Sequence, residues 1–169
     1  MPKHILVTGA SSGIGLALCK LLIKDHDCYV YLGSRNLAKG KLLLSTFSHL
    51  VKVSSNIKIL GEAAKKSIID QVPTKSDNIE VLQIDVGDYG SVLAAAKVLR
   101  DRNVKLYGLV NNAGIGFATG NDTETMMNTN YHGPKRVTNA FIDLIDPKVG
   151  RIVNTSSGAA SGWLKNQVK

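Results

Sequence analysis

The fold is decided by the stretch Ile5-Leu6-Val7-Thr8-Gly9-Ala10-Ser11-Ser12-Gly13-Ile14-Gly15. Its first three residues form a continuous apolar run, which is typical of a strand buried on both faces of a parallel sheet. The glycine- and serine-rich loop leads into Leu16–Lys24, where leucines recur at helical spacing. The stretch therefore predicts a strand, a tight loop and a helix, which together make the first part of a βαβ unit.

The same alternation continues along the chain. Further strands are predicted at Tyr29–Leu32, Ile79–Val86, Leu106–Val110 and Arg151–Asn154. Asp88 is placed to cap the helix after the third strand, and a long helix from Thr123 to about Ile145 is stopped by Pro147. The pattern predicts a single α/β domain over residues 1–169, a three-layer Rossmann-type doubly wound parallel sheet of strand order 3-2-1-4-5.

The composition excludes other classes of protein. With 44% hydrophobic residues the 169-residue chain is too apolar to be disordered, and it has no run of about 18 apolar residues that would span a membrane. Its net charge of +8 is dispersed and aromatic residues are few, so we expect no nucleic-acid partner. Cys19 and Cys28 lie on apolar segments, the histidines are scattered and Met1–Ile5 shows no signal-peptide pattern. These features predict reduced thiols, no metal site and a cytoplasmic location.

Residues 41–61 interrupt what would otherwise be one helix, because residues 36–40 and 62–69 join into a continuous helix-forming sequence. The interruption has neither a helical nor a strand period and carries no acidic residue. It is a whole number of codons long, and codons for Gly40-Lys41 and Leu60-Gly61 can supply intron-like ends. We therefore expect a retained intron or a gene-model error, with a genuine surface insertion as the alternative.

The loop after the first strand is suited to a phosphate group. The first turn of a helix leaves backbone N–H groups unpaired, and the helix dipole favours an anion there. Gly9, Gly13 and Gly15 allow the backbone to approach a diphosphate closely. Their spacing differs from the common dinucleotide fingerprint, which would need glycine at Ser11 and Ile14 as well as Gly9. A tight turn that binds no ligand is the alternative.

Arg35 follows the second strand, where dinucleotide-binding folds select their cofactor. An acidic residue there would bond the ribose 2′-hydroxyl of NAD, whereas an arginine pairs with the 2′-phosphate of NADP. The chain reads Gly33-Ser34-Arg35-Asn36 with no acid, so we expect NADP(H). Lys39 and Ser11 can add contacts. The alternative is that Arg35 is a solvated residue at the start of a helix.

Two stretches, Asn112–Phe117 and Met127–Asn130, resemble the carbonyl reductases. In order along the chain, five segments resemble the short-chain dehydrogenase/reductase family, to which those enzymes belong. They are Thr8–Gly15, Asp85-Val86, Asn111-Asn112-Ala113-Gly114, Asn130-Tyr131-His132-Gly133 and Gly150–Ser157. The resemblance implies NADPH-dependent reduction of a small ketone or aldehyde and leaves the oligomeric state open. The residues implied, or proposed above, to contact the cofactor are Thr8, Gly9, Ser11, Ser12, Gly13, Ile14, Gly15, Ser34, Arg35, Asn36, Asp85, Val86, Asn112, Ala113 and Gly114.

The same resemblance implies two catalytic residues. Ser157 matches the serine that holds the substrate oxygen, and Asn130 matches the asparagine that orders a water. Without the family pattern, these would be a turn residue at a strand end and a polar contact in a helix. The family's proton-donating Tyr-x-x-x-Lys has no counterpart after Ser157.

From the missing tyrosine and lysine we expect a truncated product, incomplete at the C-terminus of the domain, without significant reductase activity. One alternative is a nucleotide-binding pseudoenzyme or redox sensor that binds NADP(H) without turnover. Another is a basic interaction module without a cofactor.

Overall fold

The computed structural model describes residues 2–35, 61–116 and 120–157, which contain a five-stranded parallel sheet. The strands are β1 (Lys3–Val7), β2 (Cys28–Ser34), β3 (Ile79–Gln83), β4 (Gly108–Asn111) and β5 (Arg151–Asn154). Their order in the sheet is β3-β2-β1-β4-β5. The predicted α/β class and strand order are therefore confirmed.

Helices cover both faces of the sheet. They are α1 (Gly13–Asp25), α2 (61–69), α3 (Tyr89–Asp101), α4 (Thr123–Met127) and α5 (Gly133–Phe141). Asp88 caps α3 as predicted, since its carboxylate accepts a hydrogen bond from the Ser91 N–H at 2.7 Å. Short 3₁₀ segments, Pro73–Asn78 and Ile142–Leu144, follow α2 and α5.

The apolar side chains of the inner strands divide between two cores because successive residues of a strand face opposite sides. On one face, Val7 and Val30 pack with Ile23 of α1 and Ile68 of α2. On the other face, Leu6 packs against α3 and α5; that core includes Val92, Leu99, Leu109, Val137 and Phe141. Two buried faces explain why the sequence of β1 reads as an unbroken apolar run.

Several predicted boundaries were wrong. β2 is longer than the predicted Tyr29–Leu32, and β4 is Gly108–Asn111 instead of Leu106–Val110. Helix α1 begins at Gly13, not Leu16, so the last glycines of the loop form its first turn. Strand β3 ends at Gln83, and residues 84–86 leave the sheet as a turn. The long helix predicted from Thr123 divides into α4 and α5 around a π-helical turn, Asn128–His132.

The interruption predicted at residues 41–61 lies outside the described residues, apart from Gly61, which is the first described residue of α2. Cys19 and Cys28 are buried, as expected, and neither forms a disulfide within the described residues. Among the helices of residues 2–35, 61–116 and 120–157, none is long and apolar enough to cross a membrane.

Candidate functional site

A cavity of about 320 Å³ opens at the carboxyl edge of the sheet. The residues around it come from the segments that directly follow β1, β2, β3 and β4, together with the π-helical turn. They are Gly9, Ser11, Ser12, Ile14, Arg35, Ile84, Asp85, Val86, Asn112, Ala113, Gly114, Ile115 and Thr129. β1 lies between β2 and β4, where the strand order reverses, and open α/β sheets bind ligands at such a crevice.

The first helix presents its amino end to this cavity. Ser12 is in an extended conformation and, within the described part of the chain, its side chain makes no capping bond to α1. Gly13 has a φ of +57°, and a Cβ built there would meet no atom within 4 Å. The N–H groups of this first turn have no partners within the helix, so they face an open side suited to an anion.

Gly9 has a different reason to be glycine. Its φ is +64°, and a Cβ would lie 2.6 Å from the Cα of Ala113. Any side chain at this position would therefore push apart the loops that follow β1 and β4. Gly9 and Ala113, which meet at this contact, both line the cavity.

Thr8 was predicted to contact the cofactor, but the structure places its side chain in the β1–β4 junction. Thr8 is 1% exposed, and its hydroxyl donates to the Val110 carbonyl at 3.3 Å. The same oxygen accepts hydrogen bonds from the N–H groups of Asn112 at 3.0 Å and Ala113 at 3.1 Å. Thr8 therefore holds the loop after β4 in place.

Asn112 completes this junction from the opposite side. Its amide nitrogen donates to the carbonyls of Thr8 at 3.0 Å and Gly9 at 3.3 Å. A Cβ on Gly15 would lie 2.5 Å from that nitrogen, so glycine at this position leaves room for Asn112. The third glycine of the loop thus serves packing between α1 and β4.

Arg35 is the exposed cation of the cavity rim, next to the end of β2. Ser34, also predicted to contact the cofactor, is 7% exposed, and its side chain lies toward Gly61 at the start of α2. Asn36 and Lys39 lie outside the described residues. Of the two described residues at the end of β2, Ser34 and Arg35, Arg35 alone lines the cavity.

Asp85 and Val86 form the wall of the cavity below the end of β3. The Asp85 carboxylate accepts a hydrogen bond from the Gly87 N–H at 2.9 Å, which closes a tight turn. The Asp85 N–H donates to the Ser91 hydroxyl at 2.9 Å, which joins the turn to α3. The backbone after β3 is thus fixed at the point where it meets the cavity.

Asn130 lies on the π-helical turn and binds the backbone of the neighbouring loop. Its amide oxygen accepts from the Ile115 N–H at 2.9 Å, and its amide nitrogen donates to the Ile115 carbonyl at 2.8 Å. Ile115 and Thr129, the residue before Asn130, both line the cavity. Such π-helical turns are frequent at functional sites.

Ser157 lies three residues beyond β5, at the same edge of the sheet, and is exposed. The Thr155 N–H donates to the Asn111 carbonyl at 3.0 Å, so the pairing of β5 with β4 continues past the end of the strand. Neither Ser157 nor Asn130 is among the described residues that line the cavity, although both lie at the same edge of the sheet.

Three cavity-lining residues were missed by the sequence reasoning: Ile84, Ile115 and Thr129. Each one is adjacent to a residue that was predicted, at Asp85, Gly114 and Asn130. Their position next to these predicted residues was the one sign in the sequence that they could line the cavity. A motif match alone does not tell which neighbour turns toward the cavity.

A larger recess of about 800 Å³ lies at the opposite edge, where the strands begin. Its basic side chains are already engaged: Lys3 lies 4.6 Å from the centre of the Tyr107 ring, and Arg102 forms an ion pair with Glu80 at 2.8 Å. Its described lining includes none of the predicted cofactor or catalytic residues, although Arg151 belongs to the Gly150–Ser157 segment. No group of three or more potential metal ligands occurs within residues 2–35, 61–116 and 120–157.

Comparison with known proteins points to one family. The family model described as short chain dehydrogenase matches residues 46–168, a range that begins after the glycine loop. Carbonyl reductase [NADPH] 1 of Macaca fascicularis is 31% identical over 171 residues, covering 95% of this chain and 51% of that protein. (+)-Neomenthol dehydrogenase of Arabidopsis thaliana is 30% identical over 190 residues, covering 98% of this chain and 56% of that protein.

Solved structures agree with these sequence matches. Menthone neomenthol reductase from Mentha piperita superposes with a TM-score of 0.75 at 25% identity, covering 98% of this chain and 66% of that one. ElxO with NADP bound gives a TM-score of 0.62 at 28% identity, covering 93% of this chain and 56% of that one. The chain spans about half the length of the carbonyl reductases that it matches. By its sequence and its fold, the chain belongs to the short-chain dehydrogenase/reductase family.

Proposed function

We propose that this chain is the NADP(H)-binding part of a carbonyl-reductase-type oxidoreductase that interconverts a small ketone or aldehyde and its alcohol. Relatives named as carbonyl reductase [NADPH] and neomenthol dehydrogenase support the reaction class. Structures solved with NADP or NADPH support the cofactor. The proposal for this chain depends on how its own residues are placed.

One observation carries the proposal: Arg35 lines the same cavity as the amino end of α1. The first turn of α1 is suited to the diphosphate of a dinucleotide. The Arg35 guanidinium can then pair with a 2′-phosphate on the adenosine ribose, an interaction that NAD(H) cannot make. The loop and the cation together fit NADP(H).

The remaining cavity residues have roles consistent with this orientation. We assign Asp85 and Val86 to the adenine end, and Asn112, Ala113 and Gly114 to the stretch that leads toward the nicotinamide. NADPH, when bound, supplies a hydride for a carbonyl carbon. We assign Ser157 to the carbonyl oxygen and Asn130 to a water, as the family resemblance implies.

Residues 1–169 do not supply the family's Tyr-x-x-x-Lys proton donor for the carbonyl reduction. All five tyrosines precede Ser157 in the sequence. Burial, followed by the nearby Tyr29 and Glu80, raises the pKa of Tyr31 to about 12, and burial also raises the pKa of Tyr29. A catalytic acid needs a pKa near the working pH, so neither tyrosine is suited to the task. Because no Tyr-x-x-x-Lys follows Ser157 within residues 1–169, we propose that this part of a carbonyl-reductase-type enzyme binds NADP(H) without significant turnover. The alternative is a pseudoenzyme or redox sensor that binds NADP(H).

The cofactor proposal is tested by titrating the 169-residue chain with NADPH and NADH, following nicotinamide fluorescence. We expect NADPH to bind more tightly than NADH. Arg35→Gln should weaken NADPH binding by about tenfold, the equivalent of about 1.4 kcal/mol, because a charged hydrogen-bonded pair is lost. NADH binding should change little, since it has no 2′-phosphate.

Arg151→Gln is the matched control, because Arg151 is an exposed arginine at the amino end of β5, away from the cavity. It loses the same charge and should bind NADPH like the wild-type chain. Equal losses in both variants would mean that only net charge matters. No NADPH binding by the wild-type chain would overturn the proposal in favour of a module without a cofactor.

Turnover and location are tested separately. Carbonyl-dependent oxidation of NADPH by purified residues 1–169, at an ordinary enzyme rate, would contradict the proposal of binding alone. We also propose a cytoplasmic location, supported by two buried cysteines without a disulfide. Cell fractionation with an antibody to the chain tests that location.

A further inference from the structure

Arg136 makes an unusual set of contacts from the first turns of α5. Its guanidinium donates to the Val86 carbonyl at 2.7 Å and to the Asn128 carbonyl at 3.3 Å. It also donates to the side-chain oxygen of Asn128. One half-buried arginine thus binds both the turn after β3 and the π-helical turn.

Asn128 links the same two segments a second time. Its amide nitrogen donates to the Gly87 carbonyl at 3.2 Å. Gly133, which follows the π-helical turn, lies so close to Val86 that a Cβ would stand 3.0 Å from the Val86 Cγ2. The contacts of Arg136, Asn128 and Gly133 will be called the Arg136 clamp.

The Arg136 clamp joins two walls of the cavity. Ile84, Asp85 and Val86 line the cavity on the side of β3, while Thr129 lines it on the side of the π-helical turn. Local bonds from Asp85 to Gly87 and Ser91 shape the turn after β3 but do not join it to the opposite wall. The Arg136 clamp makes that connection without itself lining the cavity.

We propose that Arg136 is a positioning residue that holds the turn after β3 at the distance needed to bind the adenine end of NADP(H). This inference rests on the proposed function above. Arginine suits this position because its planar guanidinium offers several hydrogen-bond donors in fixed directions, whereas lysine offers a single compact ammonium group. The diphosphate and 2′-phosphate contacts belong to α1 and Arg35, which the Arg136 clamp does not touch.

The test uses the full 169-residue chain and three probes: NADPH, adenosine 2′,5′-bisphosphate and inorganic pyrophosphate. Arg136→Met removes the donors and keeps a long side chain with good helix propensity. We expect it to weaken NADPH and adenosine 2′,5′-bisphosphate equally, by about tenfold. Pyrophosphate affinity should stay unchanged, because it depends on the first turn of α1. Arg136→Lys should recover only part of the loss.

Lys135→Met is the matched control, since Lys135 is an exposed neighbour on the same helix and loses the same charge. It should bind all three probes like the wild-type chain. If Arg136→Met does not fold, Asn128→Ala carries the test, because it removes the Gly87 bond and one acceptor of Arg136.

Three outcomes would overturn the inference. A folded Arg136→Met chain that binds adenosine 2′,5′-bisphosphate normally contradicts it directly. An equal loss for pyrophosphate would show a general structural role and not positioning of the adenine end. A wild-type chain that binds none of the three probes contradicts the proposed function, and this inference with it.

Discussion

At the scale of single residues, Thr8 shows how a motif position can serve the fold and the site at once. Its hydroxyl is buried at the β1–β4 junction, where it accepts two backbone N–H groups and donates to one carbonyl. These bonds set the loop of Asn112 and Ala113, which lines the cavity. The family resemblance implies that Thr8 contacts the cofactor, and the structure shows its contacts to the β1–β4 junction.

Replacing Thr8 tests this role. Thr8→Val keeps the shape of the side chain but leaves two backbone N–H groups without their acceptor, and each unsatisfied buried group costs roughly 1–3 kcal/mol. We expect Thr8→Val to lower the free energy of unfolding by about 2–4 kcal/mol, measured by urea denaturation. Thr8→Ser retains the hydroxyl and should lose less than half as much. Equal losses for both variants would contradict this role, because the methyl group would then contribute as much as the hydroxyl.

Residue-scale prediction singled out the loop glycines but not the backbone conformation that requires them. Gly9 and Gly13 have positive φ angles, and glycine adopts such angles without strain. It was less complete for side chains whose direction depends on a neighbouring element. Ile115 lines the cavity, and its backbone is bound by Asn130, which lies 15 residues later on the π-helical turn.

At the scale of elements, the apolar periods identified the described strands and most helices, but not all of their ends. α1 begins at Gly13 because the loop glycines accept the geometry of its first turn, whereas leucine periodicity begins only at Leu16. The long helix is divided because Asn128 and Asn130 bind backbone groups outside the helix. Apolar periodicity continues through such a π-helical turn, so the sequence gives no sign of it.

The ends of α3 and α5 are joined by an ion pair that makes stability depend on pH. Arg100 binds the Asp143 carboxylate with two hydrogen bonds of 2.9 Å, and this pairing holds the pKa of Asp143 below the ordinary value of 3.8. Because the folded-state pKa is depressed, the stabilising contribution is complete above the ordinary value. It is lost as the pH falls through the folded-state pKa.

Arg100→Gln should therefore be less stable than the wild-type chain at neutral pH, by a small amount because both side chains are about half exposed. The difference should shrink as the pH falls below the ordinary value of 3.8 for Asp143, to a remainder that reflects the hydrogen bond from Arg100 to the Ala140 carbonyl at 3.2 Å. Urea denaturation of both chains across an acidic pH series measures this convergence. The Arg151 guanidinium contacts the Gly150 carbonyl. Arg151→Gln should therefore differ from the wild-type chain in stability by an amount that does not change with pH. A gap that stayed constant for Arg100→Gln would contradict the pairing.

At the scale of the whole molecule, the strand order places distant motifs at one edge. The segments after β1, β2, β3 and β4 are far apart in the sequence, and the parallel sheet brings all four around one cavity. This convergence could be predicted from the alternation of strands and helices, because parallel strands share a carboxyl edge. The exact walls of the cavity could not, since they depend on the Arg136 clamp and on the packing of Gly9 against Ala113.

The central claim is that this edge binds NADP(H), with its diphosphate at the start of α1 and its 2′-phosphate at Arg35. A crystal structure of the chain grown with NADPH tests it most directly. We predict density for the diphosphate over Ser12 and Gly13, and for the 2′-phosphate within hydrogen-bonding distance of the Arg35 guanidinium. A crevice without the nucleotide, or a nucleotide bound at another edge of the sheet, would contradict the claim.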